Sequence, residues 1–122
     1  MKTVKIINLS HQSLTINAQV CDKFIPKLLG LMFKKTIDPK FGLLFKETSE
    51  TRLNTAIHMF FMNFDITVLW LSKDFIVVDK AWAKKWHPVY APKSPAQYTL
   101  ELHVDQFNNF FIGDQLKVVN ED

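Results

Sequence analysis

The sequence predicts a mainly β (α+β) fold: one compact, β-barrel-like domain, residues 1–122, of about seven strands with two short helices. Three observations carry this expectation. Segments in which apolar and polar residues alternate with period two recur along the chain, as half-buried strands require. The regular strand–helix alternation of a doubly wound sheet is missing. The 122 residues are 48% hydrophobic and 22% charged, which suits one folded unit able to bury roughly two-thirds of its unfolded surface.

The elements follow in order. Residues 2–9 and 13–20 read as strands. In the second, Leu14, Ile16, Ala18 and Val20 alternate with Thr15, Asn17 and Gln19, and the polar link "LSHQS" suits a turn. "CDKFIPKLLGLMF" places Phe24, Leu28, Leu31 and Met32 at helical spacing, with Asp22 as cap and Pro26 in the first turn, so a short helix is expected over about 22–32. "GLLFKE" is a short strand, and 48–54 is polar and exposed. Residues 57–64, "IHMFFMNF", are apolar on both period-two faces, which predicts a strand covered on both sides. "ITVLWLS" and "FIVVDKAWA" are two more strands joined by a tight turn. "KKWHPVYAPKSP" holds three prolines and reads as a loop. "QYTLELHV" turns Tyr98, Leu100, Leu102 and Val104 inward and Thr99, Glu101 and His103 outward. "DQFNNFF" suits one or two helical turns capped by Asp105 and ended by Gly113. "DQLKVVN" is the last strand.

Composition narrows the function. The formal net charge is +3, and Arg52 is the sole arginine, which disfavours specific nucleic-acid or phosphate recognition by guanidinium forks. Lys80, Lys84, Lys85, His87 and Lys93 do surround Trp82, Trp86 and Tyr90. Such interleaving can bind single strands, but no stacking-platform motif accompanies it, so no nucleic-acid partner is expected. Cys21 is the only cysteine, which excludes an intramolecular disulfide and a multi-thiolate zinc site. The N-terminal residues hold no apolar run suited to a signal peptide, and no stretch of about 18 apolar residues exists to span a membrane. The expectation is a cytoplasmic protein with no membrane partner.

Catalytic patterns are sparse. Three scattered glycines, Gly30, Gly42 and Gly113, rule out a phosphate-cradling loop. The histidines at 11, 58, 87 and 103 form no ligand pair, so no metal or cofactor is expected. Cys21 reads as a small half-buried hydrophobe rather than a nucleophile. Glu101, Asp65 and Asp79 read as solvated strand carboxylates, with nothing to bring two together. His58 can be a general base in an apolar cleft or a core histidine hydrogen-bonded to a carbonyl, and composition favours the second. Trp82, Trp86 and Tyr90 flank a proline-rich loop, a common place for a binding site.

The motifs "GLMFK" (30–34), "GLLF" (42–45), "IHMFFMNFDI" (57–66), "PAQYTLEL" (95–102) and "IGDQL" (112–116) stand in an order and spacing that resembles the family called domain of unknown function 192, an uncharacterised bacterial and archaeal family, over about residues 20–119. The resemblance implies a compact, β-rich, barrel-like domain. The family has no established activity, so it supplies no reaction. His58, Phe60, Phe61, Met62 and Phe64 match its central motif, and Tyr98, Glu101, Gly113 and Asp114 its later ones. Asp65, Ile66 and Thr67 stand where the family usually carries Pro-Ile-Asp, and Asn63 replaces a common basic residue.

Three functions are compatible with these residues. The first is a small-ligand-binding or accessory module, with an aromatic-lined cleft formed by His58, Met62 and Trp82 and with Trp86, Tyr98 and Glu101 near its mouth. The second is a hydrolase-like enzyme using His58 as general base, oriented by Glu101 or Asp65. The third is a protein-interaction module using the Trp-rich loop 82–92, its partner unidentified.

Overall fold

In the computed structural model, which describes residues 2–11, 14–21, 31 and 34–120, the period-two segments become strands. β1 (Thr3–Asn8) and β2 (Thr15–Cys21) pair antiparallel, with Val4 opposite Ala18 and Ile6 opposite Ile16. Five more strands follow: β3 (Phe41–Thr51), β4 (Ile66–Leu71), β5 (Val77–Ala83), β6 (Ala96–His103) and β7 (Leu116–Asn120). They form one seven-stranded sheet in the order β5-β4-β6-β3-β2-β1-β7. Only the β2–β3 pair is parallel. A parallel pair needs a crossover connection, which residues 22–40 supply. The helix expected over 22–32 falls, Leu31 apart, outside the described residues.

The sheet curls strongly, as right-handed strand twist dictates. Its inner face carries Val4, Ile6, Ile16, Ala18, Leu44, Leu69, Leu71, Val77, Leu100, Leu102, Phe110 and Leu116, all buried in one cluster. The curl brings the start of β5 to the start of β7. There Ile76 bridges Gln115, the Val77 amide donates to Asp114 (2.9 Å), the Gly113 amide donates to Val77 (2.8 Å) and the Leu116 amide donates to Phe75 (2.9 Å). The contact stops there, so the sheet is barrel-like but not closed. Asp114 secures the corner: its carboxylate accepts from the Asn8 side chain and from the Phe111 amide, both at 2.9 Å.

The outer face of β3, β6, β4 and β5 is covered as well. Leu43, Phe45, Ile66, Val68, Trp70 and Ala83 from the strands form a second cluster with Cys21, Leu31, Ile37, Met59 and Met62. Every residue of β4 is therefore buried, which explains its unbroken apolar sequence.

Three local differences from the sequence expectation have physical reasons. The expected strand over 57–64 is a loop; its one bridge pairs Ile57 with Tyr90 of a neighbouring loop, not with a strand of the sheet. Met59 and Met62 are buried while His58, Phe60, Phe61 and Asn63 are exposed. That spacing of three, with Phe61 at φ 62°, breaks any strand period. β6 is covered on both faces, so Thr99 and Glu101 are buried rather than solvated. The helical segment after β6 is a 3₁₀ helix, Val104–Asn109, and its start is satisfied by His103, whose Nδ1 accepts from the Asp105 amide at 3.0 Å. Asp105 is not the cap.

Candidate functional site

The covered outer face and its loops hold most of the chemistry. Loop 52–65 and loop 84–95 lie side by side. Ile57 and Tyr90 exchange backbone hydrogen bonds at 2.8 and 2.9 Å, the Met59 amide donates to His87 (3.1 Å), and the Trp86 amide donates to Met59 (2.8 Å). Arg52 Nε donates to the Pro92 carbonyl at 2.9 Å. Trp70, fully buried, anchors the first loop by donating from its indole to the Thr55 carbonyl at 2.7 Å. Asp79, itself buried, anchors the second by accepting from the Lys93 amide at 2.8 Å.

The loop pair presents aromatic side chains to solvent. Phe60, Phe61 and Trp86 are exposed. Phe61 and Trp86 meet edge to face, 5.2 Å between ring centroids. Both sit at positive φ, 62° and 66°, a left-handed backbone that disfavours bulky side chains. Such strain costs on the order of 1–3 kcal/mol per residue and gathers at functional surfaces.

Asp65 fixes the base of this arrangement. One oxygen accepts from the Trp82 indole at 3.0 Å, and the other from the Lys85 amide at 2.8 Å. The Trp82 bond, then the Lys85 amide, hold its carboxyl below the usual value. Asp65 thus precedes β4 and grips the neighbouring loop, whereas Thr67, at the family's usual carboxylate position, is buried and donates to the Val104 carbonyl at 3.4 Å.

Glu101 is the outlier. It lies on the outer face of β6, in register between Leu43 of β3 and Val68 of β4. It is only 8% exposed, and no described donor reaches its carboxyl. Burial raises that carboxyl from 4.5 to about 7. Its cross-strand neighbours are apolar, but among the described residues no fully buried side-chain oxygen or nitrogen lacks a partner, so the carboxyl oxygens keep a path to solvent at the edge of the cover.

The six residues singled out from the sequence divide between the two faces. His58, Met62, Trp86 and Glu101 lie on the outer side, on the loop pair and the sheet beneath it. Trp82 stands opposite Thr67 and packs edge to face on Phe107 of the 3₁₀ helix, 5.5 Å between centroids. Tyr98 packs with Phe75 at 4.5 Å against the inner cluster. His58 is exposed, not a core histidine; its Nδ1 accepts from the Phe60 amide at 3.2 Å. Among the described residues the histidines near a carboxylate are His11, beside Asp114, and His103, beside Asp105. His58 therefore forms no dyad with Glu101 or Asp65. Cys21 is buried at the end of β2, its Sγ 3.8 Å from the Gln19 carbonyl. Among the described residues no group of three or more His, Cys, Asp or Glu side chains could hold a metal ion, and no helix is long and apolar enough to cross a membrane. The sequence reading missed Asp65 as a loop clamp and Phe61 as a strained exposed ring; the central motif contained both, but periodicity alone does not report backbone sign.

Fold and site together define a mostly β, single-sheet domain with a buried acid under an aromatic loop pair, and without an assembled catalytic dyad at His58. The model of the domain of unknown function 192, described as an uncharacterized ACR, matches residues 6–118. The chain belongs to that family. A UPF0127 protein of Pyrococcus horikoshii is 45% identical over 83 residues, spanning 68% of this chain and 69% of that protein. A UPF0127 protein of Thermococcus kodakarensis is also 45% identical over 83 residues, but the match spans only 51% of its length. The fold is shared with a crystal structure of a protein of unknown function from Novosphingobium aromaticivorans, at TM-score 0.80 and 16% identity over 94% of this chain and 83% of that one. It is also shared with a Sinorhizobium meliloti protein described as a candidate transcription regulator, at TM-score 0.82 and 18% identity over 96% and 92%. At those identities the likeness concerns the fold.

Proposed function

We propose that the domain is a small-ligand-binding module whose polar anchor is Glu101. The observation that carries this reading is a glutamate nine-tenths buried, flanked by Leu43 and Val68, whose carboxyl has no hydrogen-bond donor among the described residues. A leucine would fill the same place without the desolvation penalty of an acid. An acid whose burial raises it to about 7 is poised to meet another polar group near neutral pH. The ligand that fits is compact and mostly apolar, with one cationic nitrogen. Near pH 7 the free carboxyl is protonated about half the time; pairing with a cationic nitrogen holds it ionised, so about half a proton leaves on binding and nearly a whole one at about pH 6.

A thermal-shift screen with primary arylalkyl and cyclic aliphatic amines, run near pH 7 on the protein and on Glu101→Gln, tests this. The expected result is a midpoint raised by at least one amine in the parent protein alone, with the matching alcohols inert. Alcohols as effective as the amines, or equal responses from Glu101→Gln, would end the reading.

A further inference from the structure

We infer that loops 52–65 and 84–95 form a docking surface for an anionic membrane interface. The proposal rests on residues other than Glu101 and stands or falls separately from the ligand site.

The side chains on these loops argue for it first. Besides Phe60, Phe61 and Trp86, they expose Leu53 at 83% and Val89 at 57%. Five large apolar groups thus face solvent from two loops that hydrogen bonds tie together. Trp and Phe placed this way sit well at the headgroup level, where a ring meets both water and hydrocarbon.

The charge pattern is the second argument. Residues 52–64 and 84–95 contain no acidic residue and carry Arg52, Lys84, Lys85 and Lys93 along with His58 and His87. Lys84 and Lys85 are exposed beside Trp86. Of the carboxylates that touch these loops, Asp65 is engaged by the Trp82 indole and the Lys85 amide, and Asp79 is buried and accepts from the Lys93 amide. Each lysine held near an anionic surface adds about 1 kcal/mol of attraction, about fivefold in partitioning.

The backbone is the third. Holding Phe61 and Trp86 at φ 62° and 66° is unfavourable for the isolated protein. Asn at either place would adopt that backbone more readily. Phe75, the third such residue at φ 63°, packs against the inner cluster, so its ring has a partner that accounts for its place; Phe61 and Trp86 are strained and also exposed, which fits a surface role.

A single-stranded nucleic acid is the competing occupant, since it too favours lysine beside aromatic rings. It is less suited. Phe61 and Trp86 meet edge to face at 62° instead of offering separate stacking faces, and Leu53 and Val89 offer nothing to a base.

The experiment is co-sedimentation with vesicles of phosphatidylcholine containing about 30% phosphatidylserine, at about 0.1 M salt, where surface charges still act over roughly 10 Å. The expected result is binding that pure phosphatidylcholine vesicles do not support, with a blue shift of tryptophan emission that is absent in Trp86→Asn. The double variant Phe61→Asn/Trp86→Asn should keep the native circular dichroism, melt at the same or a higher temperature, and lose vesicle binding. Lys84→Glu/Lys85→Glu should weaken partitioning by at least about 25-fold, the product of two fivefold losses. No binding to the phosphatidylserine vesicles would overturn the proposal. So would binding that the Phe61/Trp86 double variant retains, or binding to an oligothymidylate in the absence of vesicle binding.

Discussion

Glu101 links local packing to the solution behaviour of the whole chain. Its carboxyl titrates at about 7 in the folded protein, against an ordinary 4.5. Between those values the unfolded chain has released a proton that the folded one still holds. Raising pH through that window therefore favours unfolding, and above about 7 the loss is complete. A shift of this size corresponds to on the order of 3 kcal/mol. Urea titrations at pH 4 and pH 8 should show the parent protein losing about that much relative to Glu101→Gln, whose side chain does not ionise. Equal pH dependence in the two would show that Glu101 is solvated or paired in solution. The legibility of this residue from sequence was partial. Alternation along β6 placed Glu101 on the face opposite Leu100 and Leu102, which is correct. It also made that face the wet one, because nothing in the strand reports that Met59 and Met62, some forty residues away, join the cover over it.

At the level of elements, the strands were legible and the cover was not. β2 and β6 follow from alternation along their own side chains, and β4 from its short apolar run. Residues 57–64 did not, since a loop that buries Met59 and Met62 and exposes Phe60 and Phe61 is as apolar as a strand. Only the left-handed turn at Phe61 separates the two, and a non-glycine residue there gives no warning. Gly42 is a second case. Nothing in the sequence explains a glycine at the start of "GLLFKE"; in β3 a Cβ there would come within 2.5 Å of Leu102 Cδ2 and 3.0 Å of the Glu101 carbonyl. The glycine therefore sets how closely β3 and β6 approach, next to the buried acid. Gly42→Ala should destabilise the protein by about 1–3 kcal/mol through overpacking, measured by chemical denaturation. An unchanged midpoint would mean that Leu102 swings aside freely.

For the molecule as a whole, the weak place is the seam where the curled sheet meets itself. Ladders join β4, β6 and β3 along their lengths, whereas β5 and β7 share one bridge, Ile76–Gln115, and a few bonds around it. Local opening follows such differences in backbone support. In hydrogen exchange, the amides of Val77 and Gly113 should exchange at least about tenfold faster than those of Leu69 and Leu100. Equal protection would mean that the seam opens only when everything does.

Strand order also has a consequence for synthesis. β1 is made before the other six strands, yet one of its two edges is filled by β7, the last of them, with Ile6 opposite Val118 and Val4 opposite Asn120. While the chain emerges from the ribosome, β1 and β2 can form a hairpin, but the far side of β1 stays open until Leu116–Asn120 follow. The inner core, which takes Val4 and Ile6 from β1 and Leu116 from β7, is thus sealed only once β7 has emerged, and a nascent chain stalled before that point would display a bare strand edge to its neighbours.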